Sequence, residues 1–61
     1  MKTIKFLDQY GTGTVITSDF TPQVGERIVL NNQTYDVIQY TTDFDNQMII
    51  IQTHKLTITN G

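Results

Sequence analysis

The stretch Pro22-Gln23-Val24-Gly25-Glu26-Arg27-Ile28-Val29-Leu30-Asn31-Asn32-Gln33-Thr34-Tyr35-Asp36-Val37 decides the fold. It reads as turn, strand, tight turn, strand. Pro22 presets φ for a turn, and Gly25 takes φ > 0 without a steric cost. From Arg27 to Leu30 the residues alternate, which places Ile28 and Leu30 on one face. Asn31-Asn32 then reverses the chain, and Tyr35 and Val37 return on one face of the next strand.

The same grammar extends in both directions. Upstream, Ile4 and Phe6 alternate with Thr3 and Lys5 in a first strand from Lys2 to Leu7. Asp8 to Gly13 is a turn in which both Gly11 and Gly13 are expected at positive φ. Its Gly-x-Gly lacks the third Gly, the Lys and the following helix of a phosphate loop. Thr14 to Thr17 is a short second strand. Ser18 to Glu26 is a loop, with Phe20 expected to tuck into the core as an anchor. Downstream, a strand from Thr34 to about Thr42 leads into the turn Asp43-Phe44-Asp45-Asn46. A last strand starts at Gln47 or Met48 and extends toward Ile58, with a bend or bulge near Thr53-His54.

Composition agrees with this reading. There are 11 Thr, 8 Ile and 4 Val, so 23 of 61 residues are β-branched, and there is no Ala. Such side chains lose χ1 freedom in helices and pack well on pleated sheets. The expected fold is all-β: one domain over residues 1–61, a small SH3-like barrel or sandwich of five or six strands. A chain this short buries only about 60% of its unfolded surface. Disulfides, metals and association are the usual supplements. Without Cys, and with one His, association is the supplement expected here.

Within the last strand, Met48-Ile49-Ile50-Ile51 is apolar on both faces, whereas a half-buried strand is polar on one. Leu56 and Ile58 keep the even parity. Ile49 and Ile51 therefore need cover, from a second layer of the same sheet or from a second copy of the chain. Met48, Ile49 and Ile51 are the self-association residues expected on this ground, with a homodimer favoured.

Candidate chemistry is sparse. His54 titrates near neutrality, but nothing ties it to Ser18, the single serine. Asp43, Asp45 and Asn46 have the i, i+2 spacing that begins a calcium loop, yet Met48 and His54 stand where Gly and Glu are needed. A glycosidase pair from Asp43 and Asp45 lacks the burial that raises one carboxyl. No catalytic residue, metal or cofactor is expected. The four cations, Lys2, Lys5, Arg27 and Lys55, are scattered, and net charge is −2. That makes single-stranded nucleic-acid binding through aromatic platforms an outside alternative, and phosphate mimicry by so few carboxylates another. No 18-residue apolar run or signal-type N-terminus is present, so a soluble, intracellular chain is expected. Tyr40 and Phe44 flank the Asp43–Asn46 turn. With Asp43 and Asp45, they are the expected contacts with a protein partner.

The block Pro22-x-x-Gly25-Glu26-x-Ile28, followed by Tyr35-x-Val37, resembles small bacteriophage and prophage β-barrel proteins with a Pro-x-x-Gly-acidic turn. The resemblance covers about residues 20–51. It implies a mobile-element origin and a binding role in the host cytoplasm, with no catalytic residue to transfer. The expected function is that of a phage accessory protein that binds a host protein, such as a defence enzyme, and blocks it by occlusion. A small structural head or tail protein of the virion is the alternative.

Overall fold

A computed structural model describes residues 1–56 of the chain. Five strands form: β1 (Lys2–Leu7), β2 (Gly13–Ser18), β3 (Arg27–Leu30), β4 (Gln33–Asp43) and β5 (Met48–Lys55). There is no helix among the described residues. The strands make one sheet in the order β2-β1-β5-β4-β3, curled into a half-barrel. The small all-β barrel read from the sequence is what the chain builds, with one side left open.

The β3–β4 hairpin is the one expected. Leu30 pairs with Gln33 across Asn31-Asn32. Both asparagines have positive φ, 54° and 63°, which is the type I′ geometry that matches strand twist. Ahead of it, Gln23 to Glu26 closes a turn through Glu26 N–H on Gln23 O at 3.0 Å, with Gly25 at φ 94°. Gly25 N–H then donates to Val37 O, and Val37 N–H to Glu26 O, each at 2.9 Å. Two residues thus oppose one, a glycine-led bulge at the entry to β3.

β1 pairs with β2 as an antiparallel hairpin and with β5 in parallel. Parallel neighbours need a crossover, and here everything between β1 and β5 supplies it. Gln9 holds the far end of β5: its side-chain oxygen accepts Lys55 N–H at 2.8 Å, and its amide donates to Lys55 O at 3.4 Å.

The register fixes which residues share the concave face. Ile4 lies beside Ile16 and Ile49, and Phe6 beside Thr14 and Ile51. Ile28 lies beside Tyr35, and Val37 beside Thr53. Ile4, Phe6, Val37, Ile49 and Ile51 are the buried core, with Ile16, Ile28 and Leu30 packed on its margin. Thr53 is the buried polar residue, and its hydroxyl donates to Leu7 O at 2.9 Å.

Several sequence expectations change. Ile49 and Ile51 are covered by the chain itself, being 8% and 0% exposed. Their partners are β1 and β4, so they are core residues, and the expected self-association face is not available at them. The bulge lies in β4, between Val37 and Gln39, across from Gln52 and Thr53, and not within β5 itself. β5 runs unbroken to Lys55. An extension to Ile58 lies outside the described residues. Gly11 has φ 83°, as expected, but Gly13 does not have positive φ. A Cβ built on Gly13 would meet Lys5 Cε and Leu7 Cδ2 at 3.3 Å each, so crowding is what Gly13 relieves.

Candidate functional site

The Asp19–Glu26 connection leads from β2, one edge of the sheet, to β3, the other. It therefore brings the two edges across an open groove of about 360 Å³. Phe6, Ile16, Ile28 and Leu30 reach it from the sheet, and Phe20, Thr21 and Pro22 from the connection. Glu26 is its one charged residue among the described residues, and Glu26 Oε1 already accepts Gln23 N–H at 2.9 Å.

Phe20 is 84% exposed, not a core anchor. The reason is local. Ser18 Oγ accepts Phe20 N–H at 2.9 Å, a side-chain turn of the kind serine favours. It bends the chain off the end of β2 before Phe20 can reach the core. That Ser-x-Phe spacing is the signal the sequence offered for an outward Phe20.

A second depression lies beside β4, lined by Thr21, Gln23, Val24 and Tyr40. Tyr40 shares the concave face with Val37 although it lies an odd three positions further along, because the extra residue Ile38 at the bulge shifts the parity. Thr21 Oγ1 is buried without a hydrogen-bond partner among the described residues, and Thr21 lines both depressions. A third, smaller pocket of about 20 Å³ lies between Asp8, Thr12, Tyr35 and Thr53; it has room for about one water.

The β4–β5 turn carries the expected partner contacts. Asp43 is its cap: Oδ2 accepts the Asn46 side-chain amide at 2.9 Å, and Oδ1 accepts Asn46 N–H at 3.2 Å. These bonds, with a smaller one from the Asp45 backbone, hold the Asp43 carboxyl below its ordinary value. Gln47 completes the turn at φ 54°. Phe44 and Asp45 stand exposed on it, Phe44 at 85%. Tyr40 is 41% exposed and looks into the depression with Val24 rather than toward the turn tip.

His54 lies opposite Asp36, which in turn pairs with Arg27 and accepts its Nε–H at 2.9 Å. These three form a polar row on the convex face. Ser18 is at the other end of the sheet: it pairs with Lys2, whereas His54 lies beyond Gln52, the partner of Leu7. At about 3.3 Å per residue that puts roughly 20 Å between them, so they do not form a nucleophile and base. No cluster of His, Asp and Glu able to hold a metal occurs among the described residues. No helix there is long and apolar enough to cross a membrane.

Comparison of the chain with family models, curated proteins and solved structures returned no match.

Proposed function

We propose that this chain is a non-enzymatic accessory binding protein of a phage or prophage. It self-associates and occludes a host protein, with a defence enzyme as the candidate class of target. The mobile-element origin rests on the Pro22–Val37 block alone. The binding role rests on one observation: Phe44, 85% exposed, sits on a turn whose backbone and side chains are tied by Asp43 and Asn46. A large aromatic held outward on a stiff turn gives contact area at little cost in conformational entropy, which is how interface anchors work. Asp43 and Asp45 flank it, and the Asn46 hydrogen bonds hold the Asp43 carboxyl below its ordinary value. The complementary surface is an apolar pocket with a basic rim.

Immobilised chain and its Phe44→Ser variant, each exposed to lysate of a bacterial host, test this. One protein retained by the native chain and released by the variant, with equal stability of the two chains, is the expected result. Identical retention by both removes Phe44 from the contact. No retention by either, at low salt as well as at physiological salt, removes the binding role.

A further inference from the structure

Among the described residues the half-barrel has two free edges, and they differ. β3 is four residues long, carries Arg27 and leaves a bulge at Gly25-Glu26. Short length, charge and bulges are the devices that keep an edge from pairing. β2 is Gly13-Thr14-Val15-Ile16-Thr17-Ser18 and has none of them. It is six residues long, uncharged and without proline, and it runs in unbroken register beside β1. Its four central residues are β-branched. Val15 is 57% exposed.

We propose that the free edge of β2 pairs with β2 of a second copy, antiparallel across a two-fold axis at Ile16. This names the surface of the self-association proposed above and rests on that reading. Directly opposed residues must share a face. A two-fold at Ile16 sets Ile16 against its own copy on the concave side, where it already borders the core. It sets Val15 against Thr17, and Gly13 against Asp19, on the convex side.

Charge selects this register over its neighbour. The Lys5 side chain reaches over β2 to Gly13, with Cε 3.3 Å from where a Cβ would be, which brings its ammonium within reach of a chain paired to the free edge. Lys5 has no ion-pair partner among the described residues. Asp19 directly follows β2, is 79% exposed and is 3.6 Å from the Met1 amine. With Gly13 against Asp19, each Lys5 meets the Asp19 of the other copy, twice across the axis. A two-fold at Val15 would set Gly13 against Thr17 and lose both pairs.

Light scattering and sedimentation of the native chain, Lys5→Asp, Asp19→Lys and the double variant form the test, with single-cysteine variants at Val15, Ile16 and Thr17. A dimer is expected. Each charge reversal should weaken it about tenfold, because it sets like charges together, and the double reversal should restore it. Ile16→Cys should oxidise to a covalent dimer, whereas Val15→Cys and Thr17→Cys should not. If Ile16→Cys fails to fold, the charge series decides, since its two sites lie on the convex side of the sheet. A dimer indifferent to the charge series overturns the β2 pairing and leaves self-association standing, and one linked through Val15→Cys overturns the register at Ile16. A closed ring of six or more also overturns the β2 pairing, because rings need two different edges in contact. A monomer at every concentration removes both readings together.

Discussion

Thr53 shows how little slack the interior has. It is 2% exposed and spends its hydroxyl on Leu7 O, where β1 makes its last pairing with β5. Thr53→Val keeps the shape and leaves Leu7 O without that donor. The expected cost is about 1 kcal/mol, read as a lower urea midpoint at unchanged slope. Ile51→Ala is expected to cost about 2–5 kcal/mol, enough to unfold a domain of this size. Alternation assigned Ile49 and Ile51 the correct character, apolar and in need of cover, and left open whether the chain itself or a second copy supplied that cover. Alternation says which residues share a face; it does not say what lies over that face. A charged residue at either position would be rejected in a monomer as firmly as in an oligomer, so such variants report on the core. Phe20 failed in the opposite sense, because a hydroxyl two residues earlier outweighed the apolar ring.

Turns were the most legible elements, since their chemistry is local. Asn31 and Asn32 both sit at positive φ, which asparagine tolerates and a β-branched residue does not. Asn32→Val is expected to cost about 1–2 kcal/mol, measured by chemical denaturation, and Asn32→Gly to stabilise by a few tenths. The β4–β5 turn adds a pH dependence. Hydrogen bonds from Asn46 hold the Asp43 carboxyl below the ordinary carboxylate value. A lowered folded value means that the turn is at full strength above the ordinary carboxylate range. That strength is lost as pH falls through the lowered value. The midpoint difference between native chain and Asp43→Asn should therefore be constant near neutrality and shrink below about pH 4. A difference that widens in acid would show that the carboxylate is not what the turn uses. The β4 bulge, by contrast, had no local signal. Val37-Ile38 reads as continuous strand, and only the pairing of Val37 with Thr53 and Gln39 with Gln52 exposes Ile38 as the extra residue.

At the scale of the whole molecule, strand count followed from composition and turn spacing, but strand order did not. β1 and β5 are the most distant strands in the chain, and they lie side by side in parallel. Nothing periodic in either segment specifies the other. The consequence, among the described residues, is a sheet that ends on β2 and β3, with no pairing between them, and a core of five buried apolar residues. Phe20, Val15 and Val29 stay largely exposed around the open side. The core is small for a chain without disulfides, and its edges face solvent, so stability gained on association should be a large fraction of the total. Ligand linkage gives that a direct signature. If two copies bind in the folded state and not in the unfolded one, the thermal midpoint rises with chain concentration. Between about 1 and 100 times the dimer dissociation constant the gain is on the order of 2–3 kcal/mol, and for a domain of this size that moves the midpoint by roughly 10 °C or more. Calorimetry across such a dilution series should show the shift. Asp19→Lys should show less of it over the same range, and Lys5→Asp combined with Asp19→Lys should recover it. A midpoint independent of concentration would mean that five buried residues and one curled sheet hold the fold unaided.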